Sequence, residues 1–186
     1  EVELRMRLEA DLHRALEREE FQVFYQPIVS LGTWRITGFE ALVRWRHPER
    51  GLVSPAEFIP LAEETGQIVP IGEWVLRESS RQMKLWQDEY PDLDLSISVN
   101  LSGRQIAEPD LVDRVARVID ETGLRPGSLK LELTETLLMH HYEGAIQKMH
   151  HLRKMGIKLS IDDFGTGYSS LSHLHRFPID FLKVDR

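Results

Sequence analysis

The sequence predicts an α/β fold in which parallel strands close into a barrel, and three observations carry that expectation. Strand-like and helix-like segments alternate along most of the chain, which implies parallel strands joined by helical crossovers. Successive strand side chains point to opposite faces, and here that parity separates apolar from polar residues on almost every strand. An open sheet covered by helices on both sides would have strands that are apolar on both faces. One apolar and one polar face per parallel strand suits a closed barrel instead, apolar towards a helical ring and polar towards the interior and mouth.

The bulk properties permit this and exclude several other classes. A chain of 186 residues suffices for one domain with a sizeable core. Its net charge of -7 has the wrong sign for binding a nucleic-acid polymer, so any phosphate ligand must be met by a few local cations or by metals. With no cysteine, disulfides, thiolate ligands and cysteine nucleophiles are excluded. The lack of thiols fits a reducing compartment, and a cytoplasmic location is the expectation. No apolar run approaches the roughly 20 residues of a membrane-spanning helix, so this fragment is not expected to insert directly.

The elements follow in order. Residues 1–20 place Leu4, Leu8, Leu12, Ala15 and Leu16 among charges at helical spacing and are read as a connecting helix. Since Glu1 is not a natural start, the chain is expected to come from a longer polypeptide. Residues 21–28 and 36–45 are rich in β-branched and aromatic residues and flank the turn Leu31-Gly32-Thr33, predicting a hairpin. Helices over 55–65 and 71–89 then lead to a strand at 95–100. A helix over 111–122, stopped by Gly123, precedes a strand at 129–134. Another over 142–155, stopped by Gly156, precedes a strand at 157–163, and a helical stretch at 169–175 precedes a last strand at 181–185.

Parity locates the chemistry. Ser96, Ser98 and Asn100 oppose Leu95, Ile97 and Val99; Lys130, Glu132 and Thr134 oppose Leu129, Leu131 and Leu133. Lys158, Ser160 and Asp162 oppose Ile157, Leu159 and Ile161, and Lys183 shares a face with Phe181 and Asp185 against Leu182 and Val184. In the hairpin Glu40, Leu42 and Arg44 oppose Phe39, Ala41, Val43 and Trp45. Asn100, Glu132, Asp162, Asp163 and Lys183 therefore gather at the C-terminal strand ends, where such barrels place their active sites. Carboxylates so crowded would repel unless a cation neutralised them. All-oxygen ligation favours a hard divalent ion, Mg²⁺ or else Mn²⁺ or Ca²⁺. Adjacent Asp162 and Asp163 could serve two ions, an arrangement suited to displacement at phosphorus by a metal-activated water. Lys183 is then free to orient that water or to stabilise developing charge.

Blander readings cover other features. His140-His141 and His150-His151 are adjacent pairs that do not share a helix face, so they read as solvated surface. Gly165-Thr166-Gly167 is too short for a dinucleotide fingerprint. Trp45, Trp74 and Trp86 read as packing rather than base-stacking platforms. Arg44 stands open between a rim ion-pair partner and a phosphate ligand.

At these residues the sequence strongly resembles the EAL-domain family of cyclic di-GMP phosphodiesterases, over nearly all of 21–186. The resemblance rests on Tyr25-Gln26-Pro27-Ile28, Glu40-Ala41-Leu42-Val43-Arg44-Trp45, Ser98-Val99-Asn100-Leu101-Ser102, Glu132-Leu133-Thr134-Glu135, Asp162-Asp163-Phe164-Gly165-Thr166-Gly167-Tyr168 and Lys183-Val184-Asp185. It implies a (β/α)8 TIM-like barrel with an atypical first strand. It implies hydrolysis of cyclic di-GMP to linear pGpG, with two ions of Mg²⁺ or Mn²⁺ and inhibition by Ca²⁺. By position, Glu40, Asn100, Glu132 and Asp162 would ligate the first ion and Asp162 and Asp163 the second. Lys183 looks like the catalytic lysine, Gln26, Leu42 and Arg44 like substrate contacts, and Glu135 like the residue that steadies the loop after Asp163. An upstream sensory or GGDEF-type domain and a homodimer are the implied partners. A complete barrel runs to about 250 residues, so about two strand-helix units, with a further metal-binding glutamate, are expected to be lacking. A silent cyclic di-GMP receptor and a protein-interaction module are the alternatives.

Overall fold

A computed structural model describes residues 2–134, 142–165 and 177–184. Helix α1 (Val2–Ala15) leads into an antiparallel hairpin of β1 (Phe21–Val29) and β2 (Ile36–His47), with a short strand β3 (Gly51–Val53) folded back on β2. Helices α2 (Pro55–Thr65) and α3 (Ile68–Glu89) precede β4 (Ser96–Asn100); α4 (Gly103–Ala107) and α5 (Leu111–Thr122) precede β5 (Leu129–Thr134). Helix α6 (Tyr142–Lys154) precedes β6 (Lys158–Phe164), and β7 (Phe181–Val184) ends the described chain. The sheet order is β1-β2-β4-β5-β6-β7, and β2 through β7 run parallel along that path. This is the α/β architecture of a partial (β/α) barrel, with an antiparallel first strand.

The predicted punctuation holds. The turn after β1 closes with the Ser30 N–H donating to the Arg35 carbonyl at 2.9 Å. Gly123 (φ 67°) and Gly156 (φ 91°) end their helices in the left-handed region that a side chain resists. The sequence missed β3 and α4, began α3 three residues late and stopped β2 two residues early. The stretch 169–175 lies outside the described residues.

Parity becomes layers. Ala41, Trp45, Ile97, Val99, Leu129, Leu131, Leu133, Leu159 and Ile161 are buried against the helices. Each such leucine or isoleucine contributes about 2 kcal/mol, so the outer layer holds the sheet. Trp45 packs among Phe21 and Phe58, Trp74 against Phe21, and Trp86 against Tyr25 and Phe39, as structural aromatics should. One expectation needs correcting: Leu182 and Val184, read as facing a helical ring, are 44% and 76% exposed, because no described helix covers the outer face of β7. His150 and His151 are exposed on α6. Among the described residues no helix is long and apolar enough to cross a membrane.

Candidate metal centre

Strand register assembles the site. Glu40 of β2 lies beside Ser98 of β4; two residues on, Asn100 lies beside Glu132 of β5; two further, Thr134 lies beside Asp162 of β6. In parallel strands paired residues share a face, so this staircase carries acidic groups from three strands to one spot on the inner face. Carboxylate oxygens of Glu40, Glu132 and Asp162 all lie within 4.8 Å of one another.

The amide of Asn100 donates to Glu40 Oε1 at 3.1 Å, and Lys183 reaches in from β7. Its Nζ donates to Glu40 Oε2 (3.1 Å), Glu132 Oε2 (2.6 Å) and Asp162 Oδ2 (2.9 Å). Burial draws the Lys183 pKa down, but the bonds to Glu132 and Asp162 outweigh it and hold the ammonium above its ordinary value. Burial pushes the Glu132 carboxyl up; Lys183 opposes this and the nearby Glu40 charge adds to it. Lys130, on the same inner face below Glu132, is drawn down by burial and rests over the Phe181 ring at 4.2 Å.

This donor set fits a hard divalent ion. Three carboxylates face one ammonium, which leaves net negative charge at their meeting point. Ligand oxygens around Mg²⁺ at 2.0–2.1 Å sit about 3–4 Å apart, so a small inward movement from the present spacing would complete a shell.

Asp163 stands apart from the three converging carboxylates. It is exposed at an irregularity between β6 and β7, with φ 55°, and its N–H donates to Asp162 Oδ1 at 2.9 Å. Gln26 pairs opposite Glu40 across the hairpin and is exposed. Leu42 and Arg44 border a cavity of about 340 Å³ that reaches Asn100 and Glu132. Arg44 Nη1 donates to the Val43 carbonyl at 2.9 Å and the guanidinium lies 5.6 Å from the Phe24 ring centre. Glu135 falls outside the described residues, as do His140 and His141. Sequence reasoning missed the opposite wall of the cavity, formed by Ile59 of α2 and Ile71 and Val75 of α3. Their only signal was helical periodicity, which reads as core.

A family model described as "EAL domain" matches residues 9–186. The chain belongs to the EAL-domain family. The match begins within α1, and Glu40-Ala41-Leu42 lies in β2. EAL domains are metal-dependent, and this one has an acidic group that could hold an ion. The chain is 48% identical over 176 residues to MucR of Pseudomonas aeruginosa, a bifunctional diguanylate cyclase/cyclic di-GMP phosphodiesterase, covering 95% of this chain and 26% of that one. It is 41% identical over 181 residues to the cyclic di-GMP phosphodiesterase PdeR of Escherichia coli, covering 96% and 27%. The solved MucR phosphodiesterase in complex with c-di-GMP superposes with a TM-score of 0.91 at 47% identity, covering 96% of this chain and 72% of that one. The chain thus spans about a quarter of the length of the curated relatives it matches.

Proposed function

We propose that this EAL domain hydrolyses cyclic di-GMP to linear pGpG in a reaction that depends on divalent metal. The observation that carries the reading is the meeting of Glu40, Glu132 and Asp162, from three strands, beside a cavity bordered by Arg44. Glu40, Asn100, Glu132 and Asp162 would hold one ion, and Asp162 with Asp163 a second. Bound there, Mg²⁺ or Mn²⁺ would acidify a water and neutralise charge on the phosphoryl oxygens.

The side chains do the rest. Lys183 keeps its proton, so towards a water or phosphoryl oxygen it acts as a donor that orients and stabilises charge. Arg44 offers a guanidinium to a phosphate, Leu42 an apolar surface and Gln26 an amide at the mouth. Water adds across one P–O3′ bond: its oxygen joins phosphorus, a proton reaches the departing 3′ oxygen, and a 5′-phosphate remains. We take 1–20 as a connecting segment built on α1, 21–186 as the EAL domain, and an upstream sensory or GGDEF-type domain and a homodimer as its partners on the cytoplasmic side.

A second reading, a silent cyclic di-GMP receptor, is favoured by one observation: the Lys183 ammonium pairs with all three carboxylates and so supplies part of the countercharge that an ion would. Incubation with cyclic di-GMP and Mg²⁺, with and without chelator, separates the two. Chelator-sensitive pGpG is expected, with little product in Ca²⁺, whose looser shell positions water poorly. Binding without product would establish the receptor, and neither binding nor product would leave a protein-interaction module.

A further inference from the structure

Strand β2 presents different partners on its two sides. Leu42 and Arg44 border the mouth cavity, while Trp45 and His47, at the same end of the strand, are buried. The N-terminal segment grips that buried side. His47 Nδ1 accepts the backbone N–H groups of Glu49 (3.1 Å) and Arg50 (3.3 Å), which leaves its proton on Nε2, 3.2 Å from Asp11 Oδ2 of α1. Trp45 Nε1 donates to Glu20 Oε2 at 2.9 Å, and the Arg46 N–H donates to the Glu20 carbonyl at 2.8 Å. Leu8, Leu12 and Ala15 of α1 are buried, so the helix is docked by apolar contact as well.

Arg44 lies immediately before this grip in sequence. Its contacts on the inner side are a neighbouring carbonyl and the face of Phe24. Neither fixes a long side chain as a bidentate carboxylate would. The reach of the guanidinium into the cavity is therefore set by the backbone at residue 44, which pairs with Gln22 of β1 and runs on into Trp45 and His47, the two residues that the N-terminal segment holds.

We propose that Asp11 and His47 are positioning residues for Arg44: docking of α1 on one side of β2 sets where the guanidinium meets a ligand phosphate on the other. The proposal rests on the reading of Arg44 as a phosphate contact in cyclic di-GMP hydrolysis. Undocking α1 then weakens ligand binding and leaves the metal chemistry intact. By linkage, ligand binding tightens the docking of α1.

The test compares Asp11→Ala, Asp11→Asn, which keeps an acceptor for the Nε2 proton, and Arg5→Ala, which removes an α1–α2 ion pair with Glu64 that does not touch β2. Asp11→Ala should raise KM for cyclic di-GMP about five- to tenfold while kcat and the Mg²⁺ dependence stay within about twofold. Asp11→Asn should recover most of the loss and Arg5→Ala should change nothing. Hydrogen exchange should show α1 better protected when ligand binds the parent protein. An unchanged KM in Asp11→Ala, or a fall in kcat alone that tracks a lost folded fraction, would overturn the proposal. If the parent protein neither binds nor cleaves cyclic di-GMP, the hydrolase reading fails separately. Exchange then decides the docking claim: faster exchange confined to 42–47 in Asp11→Ala supports it, and unchanged exchange there refutes it.

Discussion

Lys183 Nζ stands 2.6 Å from Glu132 Oε2, reaching across the intervening strand β6 to a side chain that is 1% exposed. A carboxylate so enclosed needs a countercharge, and removing one partner of such a pair costs several kcal/mol. Lys183 itself is 34% exposed, so solvent screens part of that cost. Lys183→Met should lower metal-free stability by about 2 kcal/mol in urea denaturation. Mg²⁺ should then stabilise the variant more than the parent, because the ion no longer displaces an ammonium. Equal stability of variant and parent without metal would mean that the bridge does not form in solution.

The same enclosure sets a pH dependence. Burial, with Glu40 adding and Lys183 opposing, holds Glu132 above its ordinary 4.5, so a proton competes with an ion at a pH where an exposed glutamate would not. Apparent Mg²⁺ affinity should therefore decline on acidification from well above pH 4.5, and Glu132→Gln should flatten the dependence. For folding, a carboxyl whose folded pKa is raised adds stability as pH falls through that value and withdraws it above. Lys183 follows the same sign in a higher window: its pairing is fully present below 10.5 and is lost only as pH rises through its higher folded value. Titration calorimetry between about pH 5 and 8 checks the fall in Mg²⁺ affinity, and unfolding at alkaline pH checks the loss of the Lys183 pairing.

What was legible in the sequence was whatever repeats with a fixed period. Strand parity placed Glu40, Glu132, Asp162 and Lys183 on the inner face, and Gly123 and Gly156 marked helix ends. The five residues of α4 and three of β3 are too short to show a period. The capping box of Ser102 and Gln105 was nonetheless a written signal for α4. The three-way bridge of Lys183 depends on how far strands stagger, and the Asp11–His47 bond joins residues 36 apart; neither leaves a local pattern. The apolar wall from α2 and α3 was invisible for another reason: a residue lining a cavity and one filling a core obey the same helical spacing.

A glycine controls the staircase. At Gly38, opposite Ser96 in the β2–β4 register, an added Cβ would lie 2.4 Å from the Ser96 carbonyl oxygen and 2.5 Å from its hydroxyl. Backbone on both sides must move to relieve this, so Gly38→Ala should cost about 2 kcal/mol. Because Glu40 follows two residues later, metal affinity should fall with it. Gly144 of α6 has nothing within 4 Å of such a Cβ. There Gly→Ala should stabilise by about 0.5–1 kcal/mol through helix propensity. Chemical denaturation of the pair, run beside Mg²⁺ titration, separates strand displacement from loss of a glycine as such.

Asp163 offers a way to remove charge while sparing the fold. Its φ of 55° lies in the left-handed region, which asparagine enters as readily as aspartate and a β-branched residue enters at a cost of about 1–2 kcal/mol. Asp163→Asn should therefore keep the thermal midpoint of the parent, whereas Asp163→Val should lower it. If Asp163 serves a second ion, Asp163→Asn should reduce bound divalent metal from two equivalents to one and turnover on the order of a hundredfold. The ion proposed for Glu40, Asn100, Glu132 and Asp162 should bind as before, since Asp163 is not among the carboxylates that converge there. Calorimetric stoichiometry alongside initial rates makes the test specific: full turnover with one fewer ion would remove the second site from the chemistry, and unchanged stoichiometry would remove Asp163 from the ligands.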